Sequence, residues 1–209
     1  EIRKALGIPE DAFCFLSVGK FIPKKRPLDI VAGIAKLQEK HPHKKVHMLW
    51  VGTGELSDAL HQACDVGYEA DKGLLPGHDS NKPAASFAGF LNQSEIARAY
   101  VAADALVLPS DAKETWGLVT NEAMASGLPC LVSAEVGCAD DLILPHFPEF
   151  CFPMGDIDAL ADAMGKMMEN PPTASKVQEI IDAYDCERTV ESVSKLYEEQ
   201  FGTKPNPGI

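Results

Sequence analysis

The stretch ALVLPSDAKETWGLVTNEAMASGLPCLV, residues 105–132, decides the fold class of this chain. Its first five residues form a short apolar run that is typical of a buried parallel strand, and a polar loop follows. Helical spacing of apolar residues begins near Gly117, and Gly127 with Pro129 ends the helix before a second apolar strand. The stretch therefore predicts a strand, loop, helix, strand unit.

The same unit carries two carboxylates at the start of its predicted helix. Glu114 precedes the helix and Glu122 lies inside it, with seven residues between them. Helix amino termini attract anions, and ligands of open parallel sheets lie beyond the carboxyl ends of the strands. Because carboxylates repel phosphate, we expect both to accept hydrogen bonds from hydroxyl groups. A sugar nucleotide, with phosphate between hydroxyl-bearing rings, satisfies this pattern. The alternative is that each Glu only complements the helix dipole.

Strand and helix patterns alternate over the rest of the chain. Strands are predicted at 13–18, 46–51, 86–88, 105–109, 130–132 and 150–152, and helices at 27–39, 55–66, 94–102, 140–144, 158–169 and 187–200. Ser94 is expected to cap its helix, and residues 67–85 to form a long, mobile surface loop. Because parallel strands need crossover connections, the pattern predicts an α/β fold with a doubly wound, Rossmann-like parallel sheet.

Composition and charge exclude several classes of protein. No apolar stretch among the 209 residues reaches the length of a membrane span, and the first residues lack a signal-peptide pattern, so we expect a cytoplasmic location. The net charge of −12 argues against general binding to nucleic acid. The six cysteines and the histidines near residues 41–47 lack metal-ligand spacing, so no metal site is predicted.

A basic segment follows the first predicted strand of this acidic chain. Lys20, Lys24, Lys25 and Arg26 lie within seven residues, after a glycine that permits a tight turn. Lysine ammonium groups there would neutralise a departing diphosphate. A solvated basic turn is an equal alternative for the segment alone. However, this loop and the loop that carries Glu114 both follow strands and should converge on one sheet edge.

Gly52 and Gly54 follow another predicted strand, in WVGTGEL at 50–56. They match the beginning of a dinucleotide-binding fingerprint, but its third glycine and its acidic residue are missing. A dinucleotide-dependent oxidoreductase therefore rests on these two glycines alone. We expect the turn to supply a further wall of the sugar-nucleotide site.

Four segments in this order resemble the carboxy-terminal domain of glycosyltransferase family 4, namely VGKFIPKK (18–25), VGTGEL (51–56), FAGFLNQSEIARAYVAADALVLPS (87–110) and ETWGLVTNEAMASGLPCLVS (114–133). The resemblance covers nearly the whole chain. It implies GT-B architecture, in which two Rossmann-like domains face each other across a cleft and the carboxy-terminal one binds a nucleoside diphosphate sugar. It also implies retention of anomeric configuration, with neither a metal nor another cofactor.

The resemblance implies a role for each matching residue. Lys20 and Lys25 would contact the donor diphosphate and stabilise the leaving group, while Glu114 would hold hydroxyls of the donor sugar. These three are the predicted catalytic residues. Glu122 would bind the ribose hydroxyls, and the backbone of Phe90 would read the nucleobase. The other donor-binding assignments are Gly19, Gly52, Thr115 and Trp116, with the backbone amides of Gly117, Leu118 and Val119.

Three positions depart from the family pattern. Lys20 stands where arginine is usual, so a point charge replaces a bidentate phosphate contact and the expected donor affinity is lower. Arg26 and Cys138 stand where glycine is often found, which leaves both loop shapes open.

Residues 1–12 are predicted to be a linker helix that leads into one donor-binding domain at 13–209. The resemblance implies a missing amino-terminal domain that binds the acceptor and through which the protein would associate peripherally with a membrane. We therefore expect the donor-binding half of a retaining glycosyltransferase, inactive in isolation. The alternative is a non-catalytic nucleotide-sugar-binding module that keeps the donor fold.

Overall fold

A computed structural model describes residues 1–76, 81–184 and 186–202, except for the side chain of Cys186. Within these residues the strands are β1 (Phe13–Val18), β2 (Val46–Val51), β3 (Asp65–Glu69), β4 (Gly73–Leu74), β5 (Ala84–Phe87), β6 (Ala105–Leu108), β7 (Cys130–Ser133) and β8 (Cys151–Phe152). They form one sheet in the order β4-β3-β5-β2-β1-β6-β7-β8. The neighbours β3 and β4 are antiparallel, and the other neighbouring pairs are parallel.

The α-helices are α1 (Ile2–Ala5), α2 (Pro27–Lys40), α3 (Ser57–Ala63), α4 (Ile96–Ala102), α5 (Leu118–Ala125), α6 (Ile157–Glu169), α7 (Ala174–Ile181) and α8 (Cys186–Phe201). Short 3-10 helices occupy Pro23–Lys25, Pro148–Phe150 and Asp182–Tyr184, and a π-helix occupies Ala139–Ile143. Helix α2 packs against α3 and α6, while α5 packs against α7 and α1 against α4.

The sheet is covered on both faces. All six residues of β2 are buried, and successive side chains of a strand point to opposite faces. The largest buried side chains of the central strands include Phe15, Leu16, Met48 and Trp50, each of which stabilises the fold by roughly 1.5–3 kcal/mol. The predicted doubly wound, Rossmann-like α/β fold is confirmed.

Several parts of the predicted element pattern are wrong. The stretch 67–85, expected to be one surface loop, contains most of β3, all of β4 and the first residues of β5, while the preceding helix ends at Ala63. Every residue of β3 is only half-buried, so this strand lacks the apolar pattern of the central ones. Positions 77–80 of the expected loop lie outside the described residues.

The predicted cap of α4 is also wrong. The helix begins at Ile96, and Asn92 organises the turn before it, because its Oδ1 accepts hydrogen bonds from the backbone nitrogens of Ser94 at 2.9 Å and Glu95 at 3.1 Å. Ser94 is thus a donor within this turn. The sequence reading also missed α7, which Thr173 caps by accepting a hydrogen bond from the backbone nitrogen of Lys176.

The predicted linker helix at 1–12 is much shorter in the structure, where α1 spans only Ile2–Ala5, and the first residues of the chain pack against the domain. Arg3 Nε donates to the carbonyl oxygen of Ala102 at 2.9 Å, and the Arg3 guanidinium pairs with Asp104 at 2.5 Å. Ile8 and Ala12 are buried. In the described part of the chain, no helix combines the length and the apolar character that crossing a bilayer requires.

Candidate functional site

The two loops that leave β1 and β6 border a crevice at the switch point of the sheet. β1 lies between β2 and β6, and the chain runs from β1 to β2 on one side but from β6 to β7 on the other. Ligands of doubly wound sheets bind where neighbouring strands diverge in this way. We call residues 19–26 the basic loop and residues 109–117 the carboxylate loop.

The backbones of these two loops are tied together. The backbone nitrogen of Asp111 donates to the carbonyl oxygen of Lys24 at 2.9 Å, and Lys24 Nζ donates to the carbonyl oxygen of Lys113 at 3.5 Å. The basic loop includes the 3-10 turn Pro23–Lys25, whose starting proline restricts its backbone. The expected convergence of the two loops is therefore present.

Lys25 and Glu114 form an ion pair across the crevice, between Nζ and Oε2. Their side chains are only 19% and 15% exposed, so the pair is partly screened from solvent. Two of the three predicted catalytic residues are thus in direct contact. The third, Lys20, is exposed and lies at the start of the basic loop, directly after Gly19.

Both departures from the family's glycine pattern leave the loops intact. Arg26 adopts the left-handed conformation itself, with φ 48° and ψ 45°, and its Nε pairs with Asp29 at 2.7 Å. A non-glycine residue pays about 1–2 kcal/mol for this conformation, which explains why glycine suits the position. Cys138 has φ −76°, a value open to any residue, so no glycine is needed there.

The carboxylate loop is held from its other side by residues that follow β7. The backbone nitrogen of Gly137 donates to the carbonyl oxygen of Glu114 at 3.2 Å, and that of Cys138 donates to the carbonyl oxygen of Trp116 at 3.0 Å. A Cβ on Gly137 would overlap the carbonyl of Thr115. This close approach makes Gly137, which the site assignment omitted, a determinant of the loop's position.

A close backbone approach explains the glycines of the turn after β2. A Cβ on Gly52 would overlap the carbonyl oxygen of Gly19, and one on Gly54 would overlap the backbone of Phe21. The backbone nitrogen of Phe21 donates to the carbonyl oxygen of Thr53 at 3.0 Å. The glycines therefore let this turn lie on the basic loop, which removes the reason to assign them to a dinucleotide fingerprint.

Two adjoining cavities extend from the crevice and share Phe90, Leu91 and Ile96. The first, about 430 Å³, is bounded by Lys20 and the Gly52 turn, whereas the second, about 510 Å³, is bounded by Glu122. We call their union the Phe90 groove. Both volumes lie in the range of small-molecule sites. Phe90 is 79% exposed, so its ring is open to a ligand.

Glu122 is held at its end of the Phe90 groove by Tyr100. The Tyr100 hydroxyl donates to Glu122 Oε2 at 2.5 Å. Burial, followed by the hydrogen bond to Glu122, raises the pKa of Tyr100 well above its ordinary value, so the phenol stays protonated and donates. Sequence reasoning missed Tyr100, because its alanine-rich helix carried only a core-like pattern.

The amino terminus of α5 faces the same crevice. Gly117, the N-cap residue, has φ 91°, and a Cβ there would lie 2.8 Å from Leu108 Cδ2. Leu118 is 68% exposed. Trp116 Nε1 donates a hydrogen bond to Asn121 Oδ1 at 2.7 Å, which fixes the orientation of the indole ring. The remaining assigned positions, Thr115 and Val119, are exposed and half-buried, respectively.

Another open cavity, of about 540 Å³, lies beside the amino end of β1 and is lined in part by Arg3, Asp11 and Asp104. It is slightly larger than either cavity of the Phe90 groove alone, but ligands of parallel sheets bind at the opposite strand ends, so we assign the site to the crevice. Among the described residues, no group of three or more His, Cys, Asp and Glu side chains could hold a metal ion.

The chain matches known glycosyltransferases in sequence. The sequence model of the family described as glycosyl transferases group 1 matches residues 1–184. UDP-Gal:alpha-D-GlcNAc-diphosphoundecaprenol alpha-1,3-galactosyltransferase from Escherichia coli is 27% identical over 199 residues, which are 93% of this chain and 48% of that protein. D-inositol 3-phosphate glycosyltransferase from Nocardioides sp. is 29% identical over 169 residues, which are 80% of this chain and 36% of that protein.

Solved structures share the fold. Sucrose-phosphate synthase from Thermosynechococcus elongatus superposes with a TM-score of 0.70 at 25% identity, over 96% of this chain and 48% of that chain. Anabaena HepE in complex with UDP-glucose superposes with a TM-score of 0.68 at 23% identity, over 96% of this chain and 51% of that chain. The chain thus spans about half the length, or less, of these relatives. It belongs to the glycosyl transferases group 1 family.

Proposed function

We propose that this chain is the carboxy-terminal, donor-binding half of a retaining, metal-independent glycosyltransferase of family 4. It binds a nucleoside diphosphate sugar, and an amino-terminal domain outside this chain holds the acceptor. The observation that carries the proposal is the meeting of Lys25 and Glu114 at the switch point, beside a groove bounded by Lys20 and Glu122.

The lysines supply the electrostatic part of the reaction. When the bond between sugar and diphosphate breaks, negative charge grows on the departing diphosphate. Lys20 and Lys25 lie on the basic loop, where their positive charge stabilises that leaving group. In metal-dependent enzymes a bound metal ion stabilises the same charge. The backbone amides of Gly117, Leu118 and Val119, at the start of α5, add partial positive charge.

The remaining residues position the donor. Glu114 accepts hydrogen bonds from hydroxyls of the transferred sugar, and Glu122, held by Tyr100, accepts them from the ribose. The nucleobase lies against Phe90 in the groove, with Leu91 and Ile96 as apolar walls. A carboxylate that is oriented before the ligand arrives binds hydroxyl groups at a lower cost in side-chain entropy. The hydrogen bond from Tyr100 orients Glu122 in this way.

The comparisons support the same class of donor. HepE was solved with UDP-glucose, and the Escherichia coli relative is named for a UDP-galactose donor, so a uridine donor is the first to test. This chain spans about half of each of those proteins, which supports a further domain for the acceptor. Transfer itself, a cytoplasmic location and peripheral membrane association belong to the proposal for the whole protein.

Calorimetric titration of the chain with UDP-glucose, GDP-mannose and ADP-glucose tests the proposal. We expect one nucleotide family to bind, and Glu122→Ala to weaken that binding by about 1–3 kcal/mol, because the ribose hydroxyls lose their acceptor. Glu191→Ala, on the exposed surface of α8, is the matched control and should leave the dissociation constant unchanged. Absence of binding by all three sugars and by UDP, GDP and ADP would refute the proposal.

A further inference from the structure

We infer that the ion pair between Lys25 and Glu114 is a closed resting state, which makes the site prefer a nucleoside diphosphate sugar over the nucleoside diphosphate that is left after transfer. The inference rests on the proposed function and concerns the same site. It assigns the pair a role in ligand selection, beyond the separate contacts that each residue makes.

Glu114 depends on Lys25 in the absence of ligand. Glu114 Oε2 is buried, and among the described residues its polar contact is the Lys25 ammonium. A carboxylate whose side chain is only 15% exposed is destabilised when it loses its cation, because water at the crevice solvates it incompletely. If Lys25 leaves Glu114 to bind another anion, the complex therefore loses binding free energy unless Glu114 also gains a new partner.

Hydrogen bonds hold the two loops together beside the pair. The backbone nitrogen of Asp111 donates to the carbonyl oxygen of Lys24, which joins the two backbones just before the pair, and Lys24 Nζ reaches the carbonyl oxygen of Lys113. The carbonyl oxygen of Glu114 is also held by the backbone nitrogen of Gly137. We therefore expect the ion pair to open by movement of the two side chains. Each side chain must then replace its contact with the other by a contact with the ligand.

The two ligands differ in what they offer in this exchange. A nucleoside diphosphate sugar offers phosphate oxygens to Lys25 and sugar hydroxyls to Glu114, so both side chains regain partners. A free nucleoside diphosphate offers only phosphate and leaves Glu114 without a partner. Lys20 is exposed and outside the pair, so it serves both ligands equally. The pair consequently penalises the product and favours its release.

Glu114→Gln tests this role, because it removes the charge and keeps the size and planar shape of the side chain, with one of the two acceptor oxygens retained. Calorimetry would compare UDP with UDP-glucose, and GDP with GDP-mannose, for the chain and the variant. We expect the nucleoside diphosphate to bind roughly three- to tenfold tighter to the variant, and the sugar nucleotide to gain less or to lose affinity. The gain should disappear when Glu114→Gln is combined with Lys25→Gln and compared with Lys25→Gln alone.

Glu55→Gln is the matched control, because Glu55 lies on the turn after β2 at the same sheet edge and is outside the ion pair. The inference would be overturned if affinity for the nucleoside diphosphate rose equally in this control, or did not rise in Glu114→Gln. The proposed function would still stand in that case, provided that the unmodified chain binds the nucleotide. Absence of any nucleotide binding by the unmodified chain would instead overturn both. If Glu114→Gln fails to fold, Glu114→Asp carries the test, since its shorter side chain withdraws from Lys25. The affinity of Glu114→Asp for UDP should then rise as well, and an unchanged affinity would contradict the proposed role of the ion pair.

Discussion

At the scale of single residues, the crevice is shaped by positions where only hydrogen fits. Gly52 and Gly137 each lie against the backbone of a neighbouring loop, so their role is to allow two chain segments to touch. The sequence indicated that the turn at Gly52 borders the site. The sequence did not indicate that contact with the Gly19 carbonyl is the reason why glycine is needed at position 52, because that contact joins loops that follow different strands.

Gly52→Ala should destabilise the chain and weaken nucleotide binding. The new methyl group would overlap the carbonyl oxygen of Gly19, at a residue with φ 129°. We expect the free energy of unfolding to fall by about 3 kcal/mol or more, measured by urea denaturation. Gly73→Ala is the control, because Gly73 also has positive φ, at 75°, but open space around it. A loss of about 1 kcal/mol is expected there. Equal losses would show that backbone conformation, and not the loop contact, decides the effect.

At the scale of elements, periodic apolar patterns identified the central strands and the long helices. β1 and β2 were predicted with the observed boundaries, and α2, α6 and α8 to within one residue at each end. β3 and β4, at one end of the sheet, were missed because their residues are at most half-buried and their stabilisation comes from pairing with neighbours. The short α7 was missed because it has only eight residues and begins one residue after the pair Pro171 and Pro172.

Tyr100→Phe should test the link between α4 and α5. The change removes the hydroxyl that holds Glu122 and leaves the buried ring in place. We expect affinity for the nucleotide to fall roughly three- to tenfold, because Glu122 must then be ordered by the ligand. Tyr184→Phe is the control: the hydroxyl of Tyr184 donates to the carbonyl oxygen of Asp141 at 3.2 Å. If both variants bind as tightly as the unmodified chain, Tyr100 does not orient Glu122.

At the scale of the whole molecule, the last helix differs from the others in its burial. The described side chains of α8, from Glu187 to Phe201, are exposed or half-buried, and apolar ones such as Val190 and Val193 are more than 60% exposed. In contrast, α7 buries Val177, Ile180 and Ile181 against the domain. The hydrophobic core therefore ends with α7.

Deletion of residues 185–209 should leave the domain folded. Because α8 buries little apolar surface, we expect the free energy of unfolding to change by about 1 kcal/mol or less, measured by urea denaturation. Deletion of residues 174–209 also removes the three buried side chains of α7, and each stabilises the fold by roughly 1.5–3 kcal/mol. Similar losses in the two deletions would contradict this division of the core.

The amino-acid sequence by itself determined the α/β class, the doubly wound sheet, the basic and acidic residues of the site, and the resemblance to a glycosyltransferase domain. These depend on local periodicity, turn residues and motif spacing, which neighbouring positions encode. The tertiary structure decided which groups meet: Lys25 with Glu114, Tyr100 with Glu122, and Gly52 with Gly19. Those contacts depend on the strand order, in which β1 lies beside β6, and strand order follows from the packing of the whole chain.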